Sequence, residues 1–595
     1  MALQVCIATR AVLGGRLRGR PAPGSSVSVR YPLQMMEGPR LSRRQVLAAG
    51  AAGGAGLAFS GLGPSVLRAL AAPQVCGQLS DIQHVVILIQ ENRAFDHYFG
   101  THAGVRGFSD SNVPIQTSGP NAGLPIWYQF AAGAPFSNPA NTLTPFHIDS
   151  SNNNGECTND ITHDWGPQHS AWNNGAMDRW LATHYAADNT NGPMTMGYYT
   201  RDDLSYYHAL ADAFTLCDGY HCSIIGPTDP NRLMSLTASI DPGGTQGGPW
   251  LETLVTNRAQ FYGTLTWPTY PEQLQSAGVT WKVYSTVDGQ YGDNVLPYFK
   301  NYMSGASAPT LAANAFANSF PGDFETDAAA GTLPQVSWVL APLANSEHPP
   351  APTVWGEWAT SQAVNALTAS PLWSSTVLFV TWDENGGFFD HVPPPTADPG
   401  TPGEWITVNP LPTSSPHDAQ GFAGPLGLGF RVPLLVVSPF SRGGYIASDV
   451  FDHTSLLRFL ETRFGVEVPN LSAWRRANTG DLTSALNLAS VDQSVPTLPA
   501  PSLTDSRAVG ANSNCPVNAP SDLIDSGLPT VTPYTIAQPN PALPSQEAGS
   551  AKQPSGLSCT EPVATPTGPP LGLAVAGAAA LGIAALVKRY AARRG

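Results

Sequence analysis

The sequence predicts an α/β fold: a mostly parallel sheet covered by helices on both faces, followed by a disordered C-terminal stalk. Three observations predict it. Candidate strands recur at Val85–Ile89, Thr280–Tyr284, Gln335–Leu340, Thr376–Thr381 and Val432–Val437, and the first is a continuous apolar, β-branched run without the alternation of a half-exposed strand. Helical stretches alternate with them, such as Trp355–Leu367 before the fourth and Ser455–Phe464 after the last. Two of the runs also stop abruptly in carboxylates and amides. Val85–Ile89 leads into Glu91-Asn92, and Thr376–Thr381 leads into Asp383-Glu384-Asn385. Ligands of open α/β sheets sit beyond the carboxyl ends of the strands, so these groups are candidates to bind something there.

Taken in order, residues 1–71 read as an address. Ser42-Arg43-Arg44-Gln45-Val46-Leu47 is a twin-arginine pattern, an Ala/Gly-rich stretch follows, and Ala69-Leu70-Ala71 offers a small-x-small cleavage site. Export of an already folded protein to the extracellular face is therefore expected, with translation starting at Met35 or Met36. A lipidated Cys76 is disfavoured because Val75 is too large for the preceding position.

Residues 78–485 show no repeat and no linker, and read as one catalytic domain. Loops near 101–160 and 390–430, rich in Pro, Gly and Asn, would rim a site. Between them, Asp218 to Ser239 runs DGYHCSIIGPTDPNRLMSLTAS. Pro230 suits an early helical position, which makes Thr228 or Asp229 the expected N-cap. A hydroxyl there lies at the positive end of a helix, a natural seat for phosphate. Thr454/Ser455 is the expected cap of the later helix and Gly465 its stop. From about Val495 to 570 the chain is rich in Pro, Ser, Thr and Ala without periodicity and reads as a stalk. Leu571 to Val587 is an uncharged run at the short limit of a membrane span, and residues 588–595 form a basic tail expected on the cytoplasmic side.

Charge excludes one class of function. Nine Arg and one Glu fall in residues 1–71 and four Lys/Arg in 588–595, leaving 16 basic against 42 acidic side chains between them. Such a surface repels phosphate backbones, so nucleic acid is not an expected partner. A metal cation would be welcome. Six cysteines follow the signal region, Cys76, Cys157, Cys217, Cys222, Cys515 and Cys559, and disulfides are expected with connectivity left open.

If the strand ends converge, Glu91-Asn92, Thr228 and Asp383-Glu384 surround one divalent cation, of a kind the residues do not identify. A cation beside the hydroxyl makes it a usable nucleophile near neutral pH.

The segments ENRAFDHYFG, HDWGPQHSAWNNGAMD, GPTDPNRL, SEHPP and WDENGGFFDHVPPP, spread over about 400 residues, resemble the bacterial phosphoesterase family of non-haemolytic-type phospholipases C and acid phosphatases. The resemblance implies an alkaline-phosphatase-like fold. It implies metal binding by Glu91, Asn92, Thr228, Asp383 and Glu384, with Thr228 also the nucleophile and His163 and His348 handling the phosphoryl group and protons. Some relatives carry a further histidine where this chain has Tyr284-Ser285-Thr286. His169 and His391 are open between structural and functional roles, and His453 reads as structural. The aromatics Trp165, Trp172, Tyr198 and Tyr199 are either a cation–π seat for choline or ordinary core. The leading expectation is phospholipase C action on phosphatidylcholine-like lipids. The alternatives are an acid-phosphatase-type monoesterase and a surface-anchored binding module.

Overall fold

The structure, a computed structural model, describes residues 76–134, 141–152, 155–286, 293–509, 515, 536 and 542–559. The signal region to Ala71, the apolar run 571–587 and the basic tail lie outside the described residues. Among the described residues, no helix is long and apolar enough to cross a membrane.

Eight strands form the central sheet. In chain order they are β1 (His84–Gln90), β2 (Thr215–Cys217), β3 (Trp281–Ser285), β4 (Asn318–Ser319), β5 (Val336–Val339), β6 (Thr376–Trp382), β7 (Leu434–Val437) and β8 (Tyr445–Ala447). Their order across the sheet is β8-β2-β7-β6-β1-β5-β3-β4. Only β7 runs against its neighbours. Val85 to Gln90 and Thr376 to Trp382 are buried throughout, so both faces of the sheet centre are covered, as the unbroken apolar runs require.

The five expected strands are present with shifted ends. Pro433 offers no N–H to a ladder, so β7 begins at Leu434 rather than at Val432. The two- and three-residue strands β2, β4 and β8 were not expected, because so short a segment carries no periodicity to read.

The register at the sheet centre sets up everything that follows. β1 and β6 pair in parallel from His84↔Thr376 to Gln90↔Trp382. Neighbouring strands lie about 4.8 Å apart, so the tails Glu91-Asn92 and Asp383-Glu384 emerge side by side. β5 flanks β1 on its other side. The chain leaving β5 comes close enough for the Ser346 carbonyl to accept the Glu91 N–H at 2.8 Å.

Six helices matter to the argument: α1 (Phe95–Phe99), α2 (Trp165–Trp172), α3 (Ser205–Ala213), α4 (Thr228–Thr237), α5 (Thr353–Ala369) and α6 (His453–Phe464). Two caps differ from expectation. In α6 the N-cap is Asp452, whose carbonyl takes the N–H of Ser455 while the Ser455 hydroxyl takes the N–H of Asp452. In α4 the cap is Pro227 and Thr228 is the first helical residue. Asp229 cannot cap because its Oδ2 accepts from the Leu254 N–H and the Tyr298 hydroxyl.

The segment read as a stalk is attached to the body where it is described. Leu503, Val509 and Cys515 pack with Ala508 against Val354 and Trp355 at the start of α5. Cys157 and Cys515 form a disulfide. The Lys552 carbonyl accepts the Ile446 N–H at 2.9 Å, so this segment covers the edge strand β8. Gln546 donates to the carbonyls of His102 and Val105, and Glu547 pairs with Arg201. Hydrogen bonds, ion pairs to Arg201 and Glu156, a small apolar contact and a disulfide hold the segment, and none of these leaves a hydrophobic period in a Pro/Ser-rich sequence.

Candidate active site

Glu91 and Asn92 follow β1, Asp383 and Glu384 follow β6, and all four are buried. Asn92 adopts φ +63°, a left-handed conformation that Asn tolerates better than most residues. Its N–H donates to Asp383 Oδ1 at 3.2 Å, and so does the N–H of Glu384 at 2.8 Å. The turn after Glu384 is made by Gly386 and Gly387, both at positive φ. A Cβ on Gly386 would fall 2.4 Å from the Asn92 carbonyl oxygen, so glycine lets the two acidic tails close on each other.

Thr228 enters on α4. The preceding loop is pinned by the Asn231 side chain, which accepts the N–H groups of Ser223 and Ile224 and donates to the carbonyls of Gly226 and Pro227. Arg232 lies one turn on from Thr228, on the same helix face. Its guanidinium is buried among the strand ends. It donates to the carbonyls of Ile89 and Gln90 at 3.0 and 3.2 Å, and meets Asp383 Oδ2 at 3.3 Å, Asp293 Oδ2 at 3.4 Å and Glu91 Oε1 at 3.5 Å. Through this contact α4, and Thr228 with it, is fixed to the tails of β1 and β6.

The two histidines complete the cluster. Both place Nδ1 on a backbone carbonyl, Ile161 for His163 and Pro349 for His348, and present Nε2 to the acids. His163 Nε2 lies 3.7 Å from Glu384 Oε1, and His348 Nε2 lies 4.0 Å from Glu91 Oε2. The two rings are 5.9 Å apart.

Proton affinities follow from this crowding. Burial, then the neighbouring Asp293 and Asp383, hold the Glu91 carboxyl well above its ordinary range. Burial raises Asp383 as well, with Arg232 pulling the other way. Burial pushes Glu384 up to about 8, opposed by His163 and assisted by Asp383. For His163, burial favours the neutral ring, but Glu384, Asp160 and Asp164 outweigh it and raise the imidazole to about 10. Burial leads at His348 too, and there it wins, so that ring sits below its usual value. The same surroundings therefore push the two rings in opposite directions.

The donor set fits a divalent cation. Glu91 Oε2, Asn92 Oδ1 and Glu384 Oε1 are buried acceptors without a hydrogen-bond partner among the described residues. Leaving such groups unsatisfied costs roughly 1–3 kcal/mol each, more when charged. A hard or borderline cation bound by carboxylate and amide oxygens removes that cost, and it binds the deprotonated acids. Asp160, His163 and His348 also bring ligand atoms within 4.8 Å of one another, a second grouping able to hold a metal.

A family model described as the Phosphoesterase family matches residues 82–467, a span that contains every residue of this cluster. The chain belongs to the phosphoesterase family. It is accordingly an enzyme that hydrolyses phosphoric esters, and curated relatives agree in type. This phosphoesterase is 42% identical over 530 residues to "Phospholipase C B" of Mycobacterium tuberculosis, covering 87% of this chain and 98% of that protein. It is 44% identical over 481 residues to "Non-hemolytic phospholipase C" of Burkholderia pseudomallei, covering 76% of this chain and 65% of that protein. Among solved structures, human ectonucleotide pyrophosphatase/phosphodiesterase 5 aligns with a TM-score of 0.29 at 11% identity, over 48% of this chain and 94% of the other. A Vibrio parahaemolyticus protein of the alkaline phosphatase superfamily aligns at 0.27 and 13%, over 47% and 63%. Likeness that weak carries no argument.

The remaining sequence candidates of this phosphoesterase resolve as follows. His169 has both ring nitrogens on carbonyls, those of Trp165 and Pro425, and burial lowers it to about 4, which makes it structural. His453 donates from Nε2 to the Asp383 carbonyl, accepts the Tyr220 hydroxyl at Nδ1, and props the acidic tail from behind. His391 belongs to a separate ion network with Asp96, Asp110, Arg431 and Asp390. The Tyr284 hydroxyl donates to Asp327. Trp165 and Tyr199 are core residues at 0% exposure, as is expected of ordinary packing aromatics.

Sequence reasoning passed over three participants. Arg232 stood inside the quoted GPTDPNRL, one turn from Thr228, which was its available signal. Gln168 stood inside HDWGPQHSAW; its Nε2 holds Asn385 Oδ1 at 2.5 Å and Glu384 Oε2 at 3.4 Å. Asp293 carries no local signal and is visible only through Arg232.

Proposed function

We propose that this chain is an exported phospholipase C that hydrolyses phosphatidylcholine-like lipids to diacylglycerol and a phosphorylated head group. The observation that carries the reading is the convergence of Glu91, Asn92, Asp383 and Glu384 with two oriented histidines and the Arg232-anchored helix that bears Thr228. The relatives named phospholipase C supply the diester substrate class. The Cys157–Cys515 disulfide supports an oxidising, extracytoplasmic location, in line with the twin-arginine pattern.

Thr228 Oγ, its proton given up to solvent before the step, attacks phosphorus in line with the diacylglycerol oxygen, at a helix start where backbone N–H groups and the dipole favour negative charge. His163, held as imidazolium, gives its Nε2 proton to the departing glycerol oxygen. His348, held neutral, takes a proton from the water that then releases the phosphoryl group from Thr228. Arg232 keeps Asp383 and Glu91 in place during both displacements. Glu91, Asn92, Thr228, Asp383 and Glu384 would hold one divalent cation, which supplies charge stabilisation for the phosphoryl oxygens and lowers the pKa of the threonine hydroxyl.

The test is an assay of the purified protein on phosphatidylcholine and on an aromatic phosphate monoester, each with chelator and after resupply of single divalent ions. Metal-dependent diacylglycerol release is expected, and Thr228→Ala should lose about 10⁴-fold or more in turnover while its metal content stays near wild type. Cleavage of the monoester alone would assign an acid-phosphatase type of activity instead. A fully active Thr228→Ala rules out the nucleophile.

A further inference from the structure

We propose that Cys76 and Cys559 form a second disulfide, one that staples the segment leading into β1 to the C-terminal segment that lies along β8. The two residues are 483 positions apart, yet Cys76 Sγ lies 3.7 Å from the Cys559 carbonyl oxygen. The adjoining Cys559 side chain, with burial adding to it, raises the Cys76 pKa.

The contact is built by the backbone. The Gly77 N–H donates to the Leu488 carbonyl at 3.0 Å, the Leu488 N–H donates to the Gly556 carbonyl at 3.2 Å, and the Gly556 N–H donates to the Leu486 carbonyl at 2.8 Å. Residues 486–488 are thus held between the two ends. The Ala489 N–H adds a bond to Ser555 Oγ. Two cysteines brought together in this way are a pair, unlike Cys217 and Cys222, which are buried apart from them in the core. The Cys157–Cys515 bridge shows that the fold already uses a disulfide to hold the same C-terminal segment.

In the reaction each thiol loses a proton, one S–S bond forms, and two electrons pass to a small-molecule or protein disulfide, which leaves as two thiols. Its consequence lies at the sheet edge. The segment so fixed includes Lys552, whose carbonyl accepts from Ile446 of β8 and whose ammonium lies 4.1 Å from the Tyr445 ring centre. The staple therefore keeps an edge strand covered.

The experiment takes the mature full chain equilibrated with oxidised glutathione, blocked with a maleimide, digested without reductant and mapped by mass spectrometry. A Cys76–Cys559 linked peptide is expected, about 2 Da lighter than the two free peptides together and lost on reduction. In Cys76→Ser, Cys559 should become freely alkylated while Cys157–Cys515 remains linked, and tryptic cleavage after Lys552 should be faster by about tenfold or more. Maleimide on both cysteines of the oxidised wild type overturns the proposal. So does a lipid or glutathione adduct on Cys76. Unchanged cleavage after Lys552 in the variant overturns the edge-covering role.

Discussion

Arg232→Met removes a guanidinium that touches three site carboxylates while keeping most of the side-chain stem. Five contacts between 3.0 and 3.5 Å are lost, two to strand-end carbonyls and three to Asp383, Asp293 and Glu91. Deleting one partner of a buried ion pair costs about 3–5 kcal/mol, chiefly because the other charges stay buried and uncompensated. A divalent cation on the same carboxylates compensates them independently. The deficit should therefore be full in chelator and smaller with bound metal, and each 1.4 kcal/mol or so recovered means about tenfold tighter metal binding by the variant. Turnover should still fall by about 10²-fold, since Asp383 and the Thr228 helix lose their common anchor. Urea unfolding followed by tryptophan fluorescence, with and without each of Ca²⁺, Mg²⁺, Mn²⁺ and Zn²⁺, together with calorimetric titration of the metal, measures both quantities. Equal deficits in chelator and in metal, or wild-type turnover, would refute the reasoning.

Three further outcomes are expected. Glu357 on α5 accepts the N–H groups of Tyr206 and Tyr207, and burial raises its carboxyl from the ordinary 4.5 to about 8. Its stabilising contribution is complete below about pH 4.5 and drains away as pH rises through 8. Glu357→Gln should thus gain on wild type by up to about 1.4 kcal/mol per pH unit in that window, and parallel urea midpoints at pH 5.5 and 8 would contradict this. A Cβ on Gly356 would lie 2.0 Å from Glu347 Cγ, a side chain already held by Tyr98, Tyr207 and Trp382. Gly356→Ala should accordingly cost about 1–3 kcal/mol of overpacking, read as a lower urea midpoint, and an unchanged midpoint excludes the clash. Finally, His163→Gln should lose about 10²–10⁴-fold on phosphatidylcholine but far less on p-nitrophenylphosphorylcholine, whose leaving group needs no proton. Equal losses on both substrates would transfer the acid role away from His163.

The arrangement of β1 and β6 shows how much of this site was legible beforehand. Continuous β-branched runs ending in Glu91-Asn92 and Asp383-Glu384 announce buried parallel strands with ligands at their carboxyl ends, and the in-register pairing of Gln90 with Trp382 delivers those groups side by side. Thr228 was legible as a helix-start hydroxyl, although as the first helical residue and not as the cap. His163 and His348 carried no such local mark and rested on resemblance; the structure adds that their Nε2 atoms face Glu384 and Glu91.

The sequence by itself determined the layers of the fold and the acidic and hydroxyl groups offered at its strand and helix ends, because burial on both faces and the ends of elements leave local patterns in composition. Only the tertiary structure decided that Arg232 and Asp293 join those groups, that Cys157 pairs with Cys515, and that a Pro/Ser-rich segment lies along β8. Those are contacts between residues far apart in the chain. Their energy comes from ion pairing, main-chain hydrogen bonds and covalent linkage, and none of these imposes a period on the sequence around either partner.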